Sequence, residues 1–323
     1  MSGKALQDLN TLTFPGLDRK NESSSKGTLT KPYIEHTENL DDGQKKNLVS
    51  LACSTLPEDV GSNGIDVANS EVEYIESENL TDLASVDSSC STLLARLNSK
   101  DWVLLCEALN NVRQISIYHK EKLLDMLGDV VSLIVRSLKN PRSAVCKTAI
   151  MTSADIFKVY GDQIMDSFDP LLVQLLLKSS QDKKFVCDAA ERALIAMTTW
   201  VSPSLLLPKL QPYLKNRNPR IRAKASVCFC RSVPLLGIEG IRAYGIDKLI
   251  QMAASQISDQ LPESREAART LTLELRAAFD KSQTQQTDEV EQSMPGDSWE
   301  EFCRSKLSPL SAQAVLRVTS VGH

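Results

Sequence analysis

The stretch KKFVCDAAERAL, residues 183–194, decides the fold of this chain of 323 residues. It opens with two lysines and then places an apolar residue, Val186, four positions before a small one, Ala190. Residues four apart lie on the same face of an α-helix. The stretch therefore predicts a basic turn that leads into a helix, with Val186 and Ala190 packed against neighbouring helices.

The same arrangement recurs along the chain. Polar or basic turns also lead into DWVLLCEAL (101–109), PRSAVCKTAI (141–150), NPRIRAKASV (218–227) and, as a weaker copy, PESREAARTL. The corresponding pairs of residues are Leu104/Ala108, Val145/Ala149, Val186/Ala190, Ile221/Ala225 and Ser264/Ala268. Successive alanines are 41, 41, 35 and 43 residues apart. This is the period of two-helix HEAT or armadillo units, whose small residues let the helices approach closely.

The composition agrees with a helical repeat fold. Hydrophobic residues make up 42% of the chain but aromatic residues only 5%, a balance that favours packed helices over strands. Prolines stand where helices are expected to begin or end, at positions 141, 170, 203, 208, 219 and 262. We predict an all-α fold, a HEAT/armadillo-type α-solenoid of about five helix pairs with disordered acidic flanks. The pairs are expected near residues 88–115, 119–160, 162–201, 203–236 and 238–281.

Charge divides the chain into three parts. Residues 1–87 carry a net charge of −9, residues 88–281 carry +8, and residues 282–323 carry −3. With the loss of helical periodicity outside the middle, this predicts four segments. They are a mostly disordered acidic N-terminal region (1–85), a repeat domain (86–281), a linker (282–296) and a short C-terminal helical segment and tail (297–323).

Several classes of protein are disfavoured by the sequence. No apolar run reaches the roughly 18 residues that a membrane span needs, and the polar start lacks the apolar core of a secretory signal. We therefore expect a cytoplasmic protein that does not interact with a membrane. The eight scattered cysteines are expected to be reduced core thiols. Only His36, His119 and His323 are present, too few for a histidine metal site or a nucleophile–histidine pair. We therefore expect no enzyme, no cofactor and no metal.

One edge of the predicted solenoid is basic. In stacked helix pairs, the turns within each pair line up along one edge. That edge would carry Lys100, Asp101, Trp102, Lys139, Arg142, Lys183, Lys184, Lys215, Arg217, Arg220, Arg222 and Arg265. The turns of the opposite edge, such as WVSPS and LLGIEG, are nearly uncharged. A line of outward-facing cations predicts an acidic partner.

This pattern resembles the TOG domain, the HEAT-repeat tubulin-binding module of the CLASP, crescerin and XMAP-type microtubule regulators. The resemblance covers about 60% of the chain, residues 88–281, and rests on SKDWVLLCEAL, DKKFVCDAAERAL, KNRNPRIRAKA and ESREAARTL. In that family the turns within the repeats bind acidic tubulin, and a tryptophan in the first turn packs on it. The resemblance implies that Trp102 is that aromatic residue. It implies basic tubulin contacts at Lys183, Lys184, Arg220 and Arg222, and more loosely at Arg142.

Two features depart from the family. Val103 and Leu105 stand where its first turn usually continues with basic residues. TOG domains usually have six repeats, whereas the spacing gives five. Helices around Trp299 and Leu316 could supply the sixth as a cap on the last repeat.

Alternatives remain open at this stage. The favoured function is binding to tubulin or microtubules, in the cytoskeleton, to regulate microtubule organisation or dynamics. A HEAT-type adaptor that holds a peptide or protein on its concave face is the alternative. Nucleic-acid binding ranks last because a charge of +8 over the repeats is low for that role. Trp102 could instead pack in the core, Trp200 is expected in the core, and Trp299 with Phe302 forms either an end cap or a docking motif for another protein.

Overall fold

The computed structural model describes residues 74–287 and 298–320, which belong to one compact unit. Residues 1–73 and 288–297, which hold most of the predicted N-terminal region and linker, lie outside the described residues. The described residues form thirteen α-helices and five short 3₁₀ helices, and no strand. The α-helices are α1 (Val86–Leu97), α2 (Trp102–Tyr118), α3 (Leu127–Leu138), α4 (Ser143–Tyr160), α5 (Phe168–Lys178), α6 (Lys184–Trp200), α7 (Pro203–Leu210), α8 (Pro219–Ser232), α9 (Gly237–Tyr244), α10 (Ile246–Ile257), α11 (Pro262–Thr287), α12 (Trp299–Lys306) and α13 (Pro309–Ser320). The 3₁₀ helices are Ser77–Asn79, Lys120–Met126, Gly161–Ser167, Gln211–Lys215 and Val233–Leu236.

The helices stack as antiparallel pairs. The first five pairs are α1/α2, α3/α4, α5/α6, α7/α8 and α10/α11, with α9 as a short extra helix before the fifth. The predicted helical solenoid of about five pairs is confirmed. The second helices of successive pairs (α2, α4, α6, α8, α11) pack more closely on one another than the first helices do. They therefore line the inner, concave side of the stack.

Small residues permit this close approach. Ala108, Ala149, Ala190 and Ala225 are completely buried, and Ala268 nearly so. Their apolar partners are buried as well, apart from Leu104, which is only partly buried. Leu104 belongs to the first repeat, which has no preceding repeat to cover it.

The weaker fifth copy has a polar residue at the apolar position because Ser264 belongs to a buried hydrogen-bond network. Its hydroxyl donates to Gln256 Oε1 at 3.0 Å, and Ser226 donates to the same oxygen at 2.9 Å. The Gln256 side-chain amide then donates to the carbonyl of Leu214 at 3.0 Å. Buried polar groups that are fully hydrogen-bonded are tolerated in a core, so this network adds polar contacts to the apolar ones that join the fourth and fifth repeats.

Two cations of α8 also tie repeats together. Lys224 Nζ lies 2.7 Å from Glu191 of α6 and 2.7 Å from Glu263 of α11. Arg222 Nε lies 2.7 Å from Asp259, whose side chain is only 6% exposed. Burial raises the pKa of Asp259, but hydrogen bonds from Arg222 and from backbone amides outweigh it and leave the pKa below its usual value.

A sixth helix pair, α12/α13, packs on α10 and α11. Ser298 begins α12 with a capping box, in which its hydroxyl accepts from the Glu301 amide and the Glu301 carboxylate accepts from the Ser298 amide. Trp299 is buried, with its ring 5.4 Å from that of Phe279, while Phe302 lies 4.9 Å from Phe279. The aromatic residues therefore form the end cap. Of the two alternatives predicted for Trp299 and Phe302, the structure thus shows the end cap.

An N-terminal arm, residues 74–85, lies across the concave side of α2 and α4. Arg113 donates to the Ile75 carbonyl at 2.8 Å, Gln114 to the Thr81 carbonyl at 2.9 Å, and Tyr118 to the Leu80 carbonyl at 2.7 Å. Leu80 is buried. The last twelve residues of the predicted disordered region thus belong to the folded unit, and at the other end α11 runs past Lys281 to Thr287, into the predicted linker.

Trp200 is not in the core as predicted, since 51% of it is exposed. It is the last residue of α6, and its backbone carbonyl, rather than its ring, lies close to Gly161. A side chain at Gly161, where φ is +50°, would come within 2.9 Å of that oxygen. The bare α-carbon of Gly161 is therefore required for the repeat to turn here.

Replacing Trp299 with alanine is expected to lower the free energy of unfolding by about 3 kcal/mol, because it removes a large buried ring from the end cap. Chemical denaturation followed by circular dichroism measures the change. Leu310→Ala is the matched control, since Leu310 is 81% exposed and its loss should cost under about 0.5 kcal/mol. Equal effects of the two substitutions would contradict the capping role.

Arg222→Ala is expected to lower the unfolding free energy by about 2 kcal/mol, because it leaves the Asp259 carboxylate buried without its partner. Arg217→Ala, in the same turn but exposed, should change it by less than about 0.5 kcal/mol. The Asp259 carboxylate stabilises the fold above its unfolded-state pKa of about 3.9. That contribution is lost as the pH falls through the lowered folded-state pKa, so acid should narrow the difference between the unchanged protein and Arg222→Ala.

Candidate functional site

The turns within the helix pairs form one edge of the solenoid, and polar side chains shape each turn. Ser99, Asn140 and Asn216 each accept a hydrogen bond from the backbone amide two residues later, at 2.9–3.0 Å. Asp101 and Asn218 then cap α2 and α8 by accepting from the amides of Val103 and Arg220. In these short turns the polar side chains cap the start of the second helix, and the neighbouring basic residues remain at the surface.

Contacts between successive turns join them into a continuous basic edge. The Arg142 guanidinium of the second turn lies 5.2 Å from the centre of the Trp102 ring in the first. Lys183 of the third turn donates to Ser143 at 3.2 Å. Arg220 of the fourth turn pairs with Asp182 of the third at 2.5 Å. Each turn is therefore held against the one before it.

Five cations of the basic edge are open to a partner. Their side chains are exposed and make no hydrogen bond or ion pair within the part of the chain that the structure describes. They are Lys100, Lys139, Lys184, Lys215 and Arg217. Arg142 is exposed as well, and its only described contact is with the Trp102 ring. The first four turns thus contribute cations that a partner can reach without breaking an internal interaction.

Two predicted site residues are not oriented outward. Arg222 is committed to Asp259 and to the carbonyl of Asn216, at 2.8 Å. Arg265 folds back onto its own turn and donates to the carbonyls of Asp259 and Gln260 at 2.8 and 2.9 Å. The prediction that Arg222 faces outward is wrong, because the buried Asp259 carboxylate requires its charge.

Lys183 and Arg220 are intermediate cases. Both are exposed, and the Arg220–Asp182 pair is open to water, with side chains 54% and 89% exposed. Exposed ion pairs contribute little to stability. An acidic partner could therefore compete with Asp182 for Arg220 at low cost.

Trp102 packs partly in the core and leaves part of its surface at the basic edge. The ring is partly buried and packs against the hydrophobic core, yet it also carries the Arg142 guanidinium. Behind it, Leu105 is buried and Val103 partly buried, so the positions that depart from the family pattern serve packing. The first turn consequently offers an aromatic surface with one adjacent lysine, Lys100.

Sequence reasoning missed the acids of the basic edge. Asp182 and Asp259 stand in the turns QDKK and SDQL and partly neutralise Arg220 and Arg222. The aspartates beside the basic residues in the sequence were the signal that could have indicated this pairing. Only the structure shows which arginine each aspartate pairs with. The edge is therefore less basic in its fourth and fifth turns than a count of cations indicates.

Three further features of the described residues bear on metal binding, thiol chemistry and membrane insertion. No group of three or more His, Cys, Asp or Glu side chains is placed to hold a metal within residues 74–287 and 298–320. The seven described cysteines are free thiols, and burial raises the pKa of Cys228 to about 12 and that of Cys230 to about 11. Among the described helices, none has the length and apolar character to span a bilayer.

Comparison with known proteins shows which proteins this chain is similar to. No family model matches the chain. Two curated relatives are TOG array regulator of axonemal microtubules protein 1 from Mus musculus, 27% identical over 138 residues, and from Homo sapiens, 26% identical over 132 residues. These matches cover 43% and 41% of this chain but only 8% of each relative.

Solved structures match over more of the chain. A TOG domain of C. elegans Zyg9 superimposes with a TM-score of 0.51 at 15% identity and covers 77% of this chain and 91% of that one. A TOG domain of crescerin, whose array regulates microtubules in the primary cilium, gives a TM-score of 0.50 at 16% identity over 71% and 88%. The N-terminal domain of MAST/Orbit gives 0.50 at 12% identity over 75% and 97%. The chain therefore has the fold of a TOG domain, a HEAT-repeat solenoid.

Proposed function

We propose that this chain binds tubulin or microtubules through the basic edge and thereby regulates microtubule organisation or dynamics. The observation that carries the proposal is the series of exposed, unpaired cations in successive turns, which the contacts between turns hold in one line. An acidic protein surface is the complement of such a line. The names of the curated relatives, regulators of axonemal microtubules, support the choice of partner.

The contacts we propose fall into three groups. Trp102 and the exposed cations Lys100, Lys139, Arg142, Lys184, Lys215 and Arg217 meet the partner directly. Lys183 and Arg220 contribute by leaving their present contacts, Ser143 and Asp182, for carboxylates of the binding partner. Arg222 and Arg265 support the turns from behind rather than binding.

Binding through one such edge is expected to be modest and sensitive to salt, because exposed charges are screened within a Debye length of about 8 Å at physiological ionic strength. A second contact, from self-association or from another protein, would raise the effective concentration of the edge at the lattice. The proposed role is binding in the microtubule cytoskeleton, with no catalytic step.

The decisive variant is Lys184→Glu/Arg217→Glu. Both side chains are exposed and unpaired in the described structure, so the fold should persist while partner binding weakens by about tenfold or more, equivalent to at least about 1.4 kcal/mol. Co-sedimentation with microtubules and gel filtration with free tubulin, each across a salt series, measure the effect. Reversal of Arg222 is unsuitable, since it would also break the pair with Asp259.

A matched control is available on the opposite edge. Lys158, in the last turn of α4, and Lys248, in the first turn of α10, are exposed and make no side-chain ion pair in the described residues. Lys158→Glu/Lys248→Glu changes the net charge equally but leaves the basic edge intact. Equal loss of binding in both double variants, or no loss in either, would contradict the proposal.

One observation favours the adaptor as a second candidate. A groove of about 280 Å³ on the concave side, between α6 and α8, is lined by Ile195, Val227, Lys224 and Arg231, and Ile195 is 43% exposed. A partner held there would be lost with Ile195→Asp, whereas tubulin binding through the basic edge would survive that change. The same substitution therefore separates the two functions.

A further inference from the structure

The N-terminal arm is fastened to the concave side around a buried ion pair. Arg113 is 1% exposed, and its Nε lies 2.6 Å from Asp155 Oδ2, whose side chain is 4% exposed. Ser77 of the arm completes this cluster, since its hydroxyl donates to Asp155 Oδ1 at 2.7 Å and accepts from Arg113 Nη2 at 3.2 Å. A single serine thus links the arm to both members of the pair.

Elsewhere the arm is held by contacts with α2 and α4, which include His119 Nε2 at 2.7 Å from Asp82 Oδ1. Side chains of α2 bind three carbonyls of the arm, those of Ile75, Leu80 and Thr81. Lys147 Nζ of α4 lies 3.7 Å from the centre of the Tyr74 ring. Contacts to backbone carbonyls hold a segment without regard to its side chains. Ser77, whose hydroxyl touches both members of the buried pair, is therefore where a chemical change would act most strongly on docking.

The charge of Arg113 is already balanced by the Asp155 carboxylate. Arg113 already donates to Asp155, to Asn110 and to the Ile75 carbonyl as well as to Ser77. A phosphate on Ser77 would bring a charge of about −1.5 to −2 against the buried Asp155 carboxylate. Like charges repel strongly beside a buried carboxylate, and the phosphate is far larger than the hydroxyl that fits there.

We propose that Ser77 is a phosphorylation site and that its modification releases the N-terminal arm from α2 and α4. A protein kinase transfers the γ-phosphoryl group of ATP to Ser77 Oγ, forming the ester and releasing ADP, while the hydroxyl proton passes to the kinase's base. The flanking residues Glu76 and Glu78 fit a kinase that selects acidic sequences. Because Ser77 Oγ faces the ion pair when docked, the kinase acts on the transiently open arm, and the phosphate then prevents it from closing.

Release would uncover the concave side of the first two repeats. The Arg113–Asp155 pair would lose its cover, and so would the site where Leu80 is now buried. This regulation concerns a face distinct from the basic edge, so it does not depend on tubulin binding.

The test is hydrogen exchange by mass spectrometry on the full chain. In Ser77→Asp, the peptide covering residues 74–85 should exchange about tenfold faster, the change expected when a hydrogen bond to a charged group is replaced by repulsion. Thr81→Asp is the matched control, because Thr81 lies in the same arm, is exposed, and makes no described side-chain contact; its exchange should stay near that of the unchanged chain. Exchange in α10 serves as the internal reference for the intact fold.

A double variant separates electrostatics from general disruption. In Ser77→Asp/Asp155→Asn the new carboxylate can take the guanidinium that Asp155 gives up, so protection of the arm should return toward its original level. Treatment of the unchanged chain with ATP and a serine kinase selective for acidic sequences should place phosphate on Ser77 and speed exchange of the arm likewise. Unaltered exchange in Ser77→Asp, no recovery in the double variant, or absence of phosphate at Ser77 after that treatment would each overturn the proposal.

Discussion

The close approach of helices at buried alanines is the constraint on which the rest of this structure depends. Ala149 and Ala190 have no exposed surface, and their α-helices, α4 and α6, are the most intimately packed in the stack. Any larger side chain at these crossings would force the second helices apart. Because those helices begin at the basic edge, their spacing also sets the spacing of the turns and hence the distances between the exposed cations.

Much of the fold could be predicted from the sequence because that constraint leaves a local trace. An apolar residue four positions before an alanine, preceded by a polar or basic turn, marks the second helices of the first four pairs, and the period extends the count to the fifth. The sixth pair was harder, since α12 and α13 lack that signature, and only the aromatic spacing at Trp299 and Phe302 pointed to them. The docked arm was missed because residues 74–85 interact largely through backbone carbonyls and a few scattered side chains, which form no periodic pattern.

The candidate site was predictable in outline and not in detail. The sequence places basic residues in equivalent turns, but whether a guanidinium faces solvent depends on the nearest carboxylate in space. Arg217 and Arg222 are five residues apart, yet Arg217 is exposed whereas Arg222 is partly buried and paired with Asp259. Burial of Asp259 depends on packing between the fourth and fifth repeats, which no local pattern encodes.

The N-terminal arm and the sixth pair close the two ends of the solenoid by different means. Downstream, three aromatic rings cover the apolar end, whereas upstream an extended segment joins the second helices of the first two repeats through polar contacts. The upstream end is therefore covered mainly through polar contacts and the downstream end by a cluster of packed aromatic rings. A fragment cut at the bounds predicted for the repeat domain, residues 86–281, would lose both ends and leave Arg113 and Phe279 uncovered. The smallest piece that keeps every repeat covered therefore runs from residue 74 to residue 320.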